Sequence, residues 1–441
     1  MRGIEGALKI LGEVNRGAFA AEAIRKSWGD ITPKERKLTA TLVYAVLRRQ
    51  GLWKHLLMKY CRRPAAQLHP RTTDLLLIGI AGTQELRHFV PGVLVNALVQ
   101  LLKVDGGRID DVGLVNAVLH KVMEDAPAYI RELKQSAAVR DLALVYGVPG
   151  WVAAQWTSEL GAHDGKRLVR LSTMKTYLSL RLSPETNRED WLKRLEAFGG
   201  RGWKSSFLDY SVRMASNPFP VDLPGYAEGE ITPQTESSML VADLLASCWQ
   251  GGSLLDMCTG RGIKAAQILR SNPNATIEAW DLSEGRLRAA EKEAHRLGVS
   301  ERISFAVGDA LELQPRQAPS AVFLDAPCSG SGTWSRHPEG KWRCQPEKVK
   351  EAALLQTQLL LRAIDLVEAG GIVFYATCSL FREENEKVVA AALGQRPEMM
   401  ELPLRQRNRL FRKGKPFGTV IWPALPWVDG FYMAALKKRS S

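Results

Sequence analysis

Apolar residues recur at three- and four-residue spacing through most of the first 125 positions, with polar residues between them. The stripes predict helices over Ala18–Ser27, Pro33–Arg49, Leu52–Tyr60, Arg71–Glu85, Pro91–Leu102 and Val112–Val122. Thr32-Pro33-Lys34-Glu35 supplies a cap followed by proline in the first turn, a sound helix start. In that helix Leu38, Leu42, Val43, Val46 and Leu47 make one apolar stripe, with Arg36, Lys37, Arg48 and Arg49 off it. A helical bundle with a basic face follows. Residues 126–150 are mixed and end in Tyr146-Gly-Val-Pro-Gly-Trp151, a hinge by composition. Helices around 152–161 and 187–197 then flank Tyr177–Leu182, whose alternation is that of a half-buried strand.

From 227 onward the period switches back and forth. Helix Glu236–Ser247 precedes strand Ser253–Met257, helix Ile263–Leu269, strand Thr276–Trp280, helix Glu284–Leu297 and strands Ile303–Val307 and Ala321–Leu324. Helix Glu347–Glu368, strand Gly371–Ala376 and helix Glu383–Leu393 come next, and strands near Thr419–Trp422 and Gly430–Leu436 close the chain. Strands alternating with helices predict a parallel, doubly wound sheet, here with an antiparallel edge hairpin at its end. The fold class is therefore α/β and Rossmann-like, behind an all-α domain and a small α+β subdomain. The expected boundaries are 1–140, 148–226 and 227–441.

Composition narrows the function classes. At 441 residues, 45% hydrophobic and 24% charged, the chain is globular and too long for one ordinary core. It has no apolar run of membrane-spanning length and no signal-like N-terminus, so a cytoplasmic protein without a membrane partner is expected. Six cysteines without a Cys-x-x-Cys pair argue against a disulfide framework and against a structural metal site. Reduced thiols are then free for chemistry. The net charge of +13 is uneven, because residues 1–140 hold 22 Lys/Arg against 13 Asp/Glu. Such an excess suits a polyanionic partner, although a solvated basic surface accounts for it equally well.

The candidate chemistry lies at strand ends. Val322-Phe-Leu-Asp325-Ala-Pro-Cys328-Ser-Gly-Ser-Gly-Thr333 delivers an acid and a thiol into a Ser/Gly-rich loop, where an open α/β sheet places its active site. Gly371-Ile-Val-Phe-Tyr-Ala-Thr-Cys378-Ser379 repeats the arrangement 50 residues later. Either cysteine alone reads as a small buried hydrophobe; the pair, each at a strand end and each followed by serine, does not. The first strand of this half runs into Asp256-Met-Cys258-Thr259-Gly260-Arg261-Gly262-Ile263-Lys264 and a helix. Its glycines permit a tight turn and close approach of backbone to a ligand. Position 265 is Ala, so this is not the dinucleotide fingerprint, and the phosphate-loop ending is missing too. Asp281 ends the second strand, where a carboxylate takes a ribose diol; Asp309 follows the third and Asp325 the fourth. Asp at a strand end is usually a turn or cap residue. Four matched positions in chain order instead resemble the S-adenosylmethionine site of the class I methyltransferases.

A thiol and an acid at one crevice suit methylation of a poorly nucleophilic aromatic carbon. Adding a thiolate to C6 of cytosine makes C5 enamine-like, a form of covalent catalysis. The thiol must be partly ionised, and a carboxyl group beside the ring can hydrogen-bond it. A base must then remove the C5 proton so that the enzyme is eliminated. The residues alone leave open which cysteine attacks.

Two stretches carry a family resemblance. Glu35–Arg48, Val95–Lys103 and Gly113–His120 resemble helices of the NusB-type RNA-binding fold. Asp325–Trp342, Leu355-Gln356, Tyr375–Glu386 and Asp429-Gly-Phe-Tyr432 resemble the RNA cytosine-C5 methyltransferases of the RsmB/Sun type. That resemblance implies that Cys378 attacks C6, that Cys328 assists product release, and that Asp325 hydrogen-bonds the flipped base beside the cofactor. It implies S-adenosylmethionine binding by Cys258, Thr259, Gly260, Arg261, Gly262, Ile263, Lys264, Asp281, Asp309 and Asp325. It also implies a monomer acting on RNA, with small-subunit rRNA as substrate. The same chemistry on tRNA, or a non-catalytic RNA-binding assembly factor, are the alternatives; the intact Cys328, Cys378 and Asp325 speak against the last. One departure stands out: where the family usually has Cys-Ala-Ala-Pro-Gly-Gly-Lys, this chain has Cys-Thr-Gly-Arg-Gly-Ile-Lys. Arg336, His337, Lys341, Trp342 and Arg343 follow Cys328 and suit an unstacked RNA strand; Trp342 can also pack the loop down, and the two roles are not exclusive.

Overall fold

At the start of helix Pro33–Arg48, Thr32 Oγ1 accepts from the Glu35 N–H at 3.3 Å, and the Glu35 carboxylate takes the Thr32 N–H at 2.9 Å. This reciprocal cap sets the helix where the sequence signal puts it. The structure, a computed structural model, describes residues 1–27, 32–64, 67–86, 90–104, 109–404 and 409–440. These divide into two compact units, Met1–Met174 with Trp334–Arg343, and Lys175–Thr333 with Cys344–Ser441.

The first unit is helical. Its central helix, Pro70–Glu85, is buried from Leu75 to Gly82 and packs on helices Pro33–Arg48, Gln50–Tyr60, Pro91–Val104 and Ile109–Gln135. Gly79 makes this closeness possible: a Cβ there would lie 2.6 Å from Leu119 Cδ2. A helix over Arg2–Asn15, for which no stripe was drawn, buries Ile4, Leu8, Leu11 and Val14 and packs on Pro33–Arg48. The helix read as 152–161 runs instead over Gly150–Leu171, across a kink at Gly161 (φ +81°). It lies in the first unit, not with the small subdomain, and packs on Val139–Val145. Pro149 serves as its N-cap residue, so the expected hinge is a helix start.

The segment Trp334–Arg343 also belongs to this unit, and Trp342 packs the loop down there, with Lys341 and Arg343 turned to backbone carbonyls beside it. Lys341 is fully buried, and its Nζ donates to the Arg48 carbonyl at 2.6 Å. Burial, then the charges of Arg48 and Arg49, push its ammonium well below the ordinary lysine value. Trp342 Nε1 donates to the Leu47 carbonyl at 2.7 Å. Arg343 donates to the carbonyls of Val14 (2.8 Å), Gly17 (3.0 Å) and Ala18 (2.6 Å). Glu339 accepts the Ala20 N–H at the start of helix Ala20–Lys26. Helix-end carbonyls lack intrahelical partners, and these side chains satisfy them.

The second unit holds two sheets. Strands β1 (Ser179–Leu182), β2 (Gly202–Lys204), β3 (Ser211–Met214) and β4 (Ile231–Pro233) form an antiparallel sheet in the order β2-β3-β1-β4. Trp191 and Leu195 of helix Arg188–Ala197 join Leu180, Leu182, Val212 and Ile231 in its core. The larger sheet contains β5 (Gly252–Asp256), β6 (Ala275–Asp281), β7 (Ile303–Val307), β8 (Ala321–Asp325) and β9 (Ile372–Thr377), with β10 (Met399–Leu402), β11 (Phe411–Lys413), β12 (Thr419–Ile421) and β13 (Phe431–Lys438). Its order is β11-β12-β13-β9-β8-β5-β6-β7, with β10 pairing β13. Strands β5 to β9 run parallel; the central β8 and β9 are apolar and buried nearly throughout, whereas the edge strand β7 buries only Ile303.

The C-terminal pair departs from the expected edge hairpin. Strand β13 runs antiparallel between β9 and β12, well inside the sheet. Phe431-Tyr-Met-Ala-Ala-Leu436 is buried throughout, the pattern of an interior strand. Strand order reverses between β5 and β8, and such a reversal opens the crevice in which open α/β sheets bind ligands.

Candidate active site

Everything of chemical interest in the second unit sits at the carboxyl ends of β5, β6, β7, β8 and β9. After β5 the backbone turns at Gly260 (φ +60°) and Gly262 (φ +70°) into helix Ile263–Ser271. Left-handed backbone at two positions in three is what glycine supplies. A Cβ on Gly262 would also stand 3.0 Å from that of Ala290. Arg261 is exposed, and Ile263 is half-buried as the first helical residue. The atypical sequence thus still forms a tight loop into a helix. Thr259 N–H donates to the Trp280 carbonyl at 2.9 Å, tying the loop to β6. Asp281 takes the Gly260 N–H at 3.0 Å and the Ser283 N–H at 2.8 Å. Asp309 accepts the Leu311 N–H at 2.9 Å, bracing its own turn. Burial raises the Cys258 thiol, and the charges of Asp256, Asp325, Asp281 and Asp309 add to the effect. Cys258 is accordingly a neutral thiol ringed by acids.

Asp256 is buried beneath this loop, and its Oδ1 has no hydrogen-bond partner among the described residues. Burial, with a contribution from Asp325, pushes its carboxyl up to about 7. An unfolded-chain aspartate titrates near 4, at about 3.9. Between these values the folded chain holds a proton that the unfolded chain has lost, so stability falls as pH rises through this window. Asp256→Asn removes that dependence. Thermal melts should show the variant more stable than the parent at about pH 8, with the gap closing toward about pH 4.

The two cysteines meet. Cys328 Sγ and Cys378 Sγ are 3.3 Å apart, both half-buried and unbonded. The hydrogen bond with Cys378, and then burial, raise the Cys328 thiol well above the ordinary range. Cys328 holds its proton and can donate it to the Cys378 sulfur. Asp325 Oδ2 accepts from Lys264 Nζ at 2.6 Å, and Lys264 also lies over the Phe431 ring at 5.4 Å. Burial presses the Lys264 ammonium down, but the Asp325 charge and hydrogen bond outweigh it and hold the pKa above the ordinary value. The helix after β5 and the end of β8 are thereby locked by one ion pair.

Sequence reasoning gave no role to the group that holds both cysteine loops. Glu384 is wholly buried and accepts from Ser329 N–H (2.8 Å), Ser329 Oγ (2.5 Å), Ser379 Oγ (2.5 Å) and Gln356 Nε2 (3.1 Å). Each serine follows one of the cysteines, so a single carboxylate sets the register of both. Asn385 completes the brace: its Oδ1 accepts from Thr377 Oγ1 at 2.5 Å and its Nδ2 donates to the Ser379 carbonyl at 3.0 Å. The signal was an acidic run, Arg382-Glu-Glu-Asn-Glu386, immediately after a strand-end cysteine, which reads as a solvated helix start. Glu384→Ala should cost about 2–5 kcal/mol in urea unfolding, because buried donors lose a charged acceptor. Glu384→Gln should cost less, since hydroxyls can turn to accept. Equal losses for the two variants would contradict the hub.

His337 is in the first unit, 6.5 Å from the Phe19 ring and edge-on to it.

Known proteins agree with this architecture. Residues 245–437 match the family model for 16S rRNA methyltransferase RsmB/F, and residues 5–124 match that of the NusB family. The ribosomal RNA small subunit methyltransferase B of Thermus thermophilus is 29% identical over 444 residues, covering 99% of this chain and 97% of its own length. The counterpart from Citrobacter koseri is 27% identical over 97% of this chain and 96% of its own. A crystal structure of a methyltransferase homolog protein from Pyrococcus horikoshii, 26% identical, superposes with a TM-score of 0.57 over 69% of this chain and 99% of its own. A helical NusB region followed by a mixed-sheet methyltransferase fold, matched end to end by such relatives, places the chain in the RsmB/F family of 16S rRNA methyltransferases.

Proposed function

We propose that this chain methylates C5 of a cytosine in small-subunit rRNA through a covalent adduct between Cys378 and C6. The observation that carries the reading is the pair of thiols 3.3 Å apart beside the Lys264–Asp325 ion pair. The residues fit S-adenosylmethionine: a glycine turn at a helix N-terminus, strand-end acids around it, and a buried, unpartnered Asp256 oxygen below. The backbone and side chains of 258–264 would hold the cofactor, with Asp281 at the ribose diol, and Asp309 and Asp325 completing the site. When bound, it supplies an electrophilic methyl sulfonium.

The chain's own groups do the rest. Cys328, which holds its proton, lies against the Cys378 sulfur at 3.3 Å. The Cys378 thiolate forms a bond to C6, and the ring electrons shift to make C5 nucleophilic. Asp325 keeps one oxygen on Lys264 and offers the other to the base. After methyl transfer a base takes the C5 proton, the C6–S bond breaks, and the Cys378 thiolate is restored. Cys328, against the same sulfur, assists that release. The helical unit, with its basic excess, serves RNA docking.

The test is direct. Purified chain, S-adenosylmethionine and RNA from cells lacking the protein should yield 5-methylcytosine at a defined small-subunit rRNA position. Methylation at another atom, or only of tRNA, would overturn the reading.

A further inference from the structure

A line of aromatic rings alternates with cations across the second unit. Lys175 Nζ lies 5.2 Å from the Tyr177 ring, which is 6.3 Å from that of Trp427. Trp203 stands edge-on to Trp427 at 5.3 Å. The Arg213 guanidinium sits between Trp427 (4.8 Å) and Phe207 (5.0 Å), and the exposed Arg409 lies 5.8 Å from Phe207. Cross-strand pairing explains part of this, since Trp203 of β2 is the register partner of Arg213 of β3. Arg213 is itself anchored by a bidentate ion pair to the wholly buried Glu236, so the carboxylate that touches this line offers no surface charge.

The segment that carries Trp427 is tied by backbone hydrogen bonds to both cysteine loops. Tyr177 N–H donates to the Pro426 carbonyl at 3.2 Å, next to Trp427. Three residues on, Gly430 N–H donates to the Gly332 carbonyl at 3.0 Å, and Gly332 N–H donates to the Cys378 carbonyl at 2.8 Å. Rings packed only to glue a subdomain to a sheet would be covered. Trp203, on the edge strand of its sheet, instead keeps 43% of its surface exposed with aromatic neighbours beside it.

We infer that this aromatic and cationic rim is a stacking platform for the single-stranded RNA that flanks the target base. Bases have π-faces whatever their sequence, and flanking cations meet the phosphates. A base taken from its stack leaves neighbours that need new surfaces, and a platform on a segment hydrogen-bonded to the cysteine loops supplies them. The inference rests on the reading of the chain as an RNA methyltransferase, and its test is a binding measurement that needs no turnover.

The full chain is titrated with a short single-stranded RNA and with a hairpin duplex of the same composition, while S-adenosylmethionine binding is followed separately. Trp203→Ala should weaken single-strand affinity about tenfold, with Trp203→Phe retaining most of it. Lys175→Glu, at an exposed position, should weaken it independently and reduce its salt dependence. Cofactor affinity should stay within about twofold in each variant, a difference too small to report a lost contact. Unchanged single-strand affinity in both Trp203→Ala and Lys175→Glu overturns the platform, as does an equal loss toward the duplex. Loss of binding to a ribosomal protein with naked RNA unaffected also overturns it, in favour of a protein dock. A parent chain that makes no 5-methylcytosine, with Trp203→Ala still weakening RNA binding, removes the C5 reading and leaves the platform standing.

Discussion

Cys378→Ser is expected to reduce methyl transfer at least about a thousandfold while leaving S-adenosylmethionine binding intact. Serine keeps the size of the side chain, and Cys378 is half-buried at the end of β9, so folding should survive. What disappears is the nucleophile: a hydroxyl is a far poorer donor to C6 at neutral pH than a thiolate. The measurement is single-turnover transfer of labelled methyl to RNA, with cofactor affinity and melting temperature as controls. Residual activity within about tenfold of the parent would remove Cys378 from the nucleophile's role.

Cys328→Ser should have the opposite signature. Its thiol touches the Cys378 sulfur, and its proton is held by that contact and by burial. With the thiol gone, attack and methyl transfer can still proceed while elimination slows. A protein–RNA adduct that survives denaturing electrophoresis should then accumulate, and turnover should fall by about a hundredfold or more. The doubly substituted Cys328→Ser, Cys378→Ser chain must form no adduct. Free product at the parental rate from the single variant would exclude the release role.

The helical stripe from Leu38 to Leu47, the strand–helix alternation after 227 and the strand at Ile303–Val307 were all legible, because burial selects the side chains facing a core. The last two strands pair antiparallel as expected, but not at the sheet edge. Alternation tells how a strand meets solvent, and only the neighbours of β13 make it an interior strand. Lys341, Trp342 and Arg343 turn inward for a related reason. Charge looks like a surface property until helix-end carbonyls, as at Leu47 and Arg48, take it up.

Asp325, Cys328 and Cys378 declared themselves together, since a strand-end acid or thiol alone is ordinary and a repeated Cys-Ser at two strand ends is not. Glu384 did not. A carboxylate in an acidic run is ordinarily solvated, and nothing local marks one that will be buried under four donors. By itself, then, the sequence determined the alternation of strands β5 to β9 with helices, the glycine turn after β5 and which strand ends carry reactive groups. These depend on periodicity and on backbone freedom, which are local. Only the tertiary structure decided that the sulfurs of residues 50 apart meet at 3.3 Å, that Lys264 closes on Asp325, and that Glu384 fixes both loops. Those contacts join separate strand ends, and side-by-side strand pairing, which no local pattern encodes, brings the ends together.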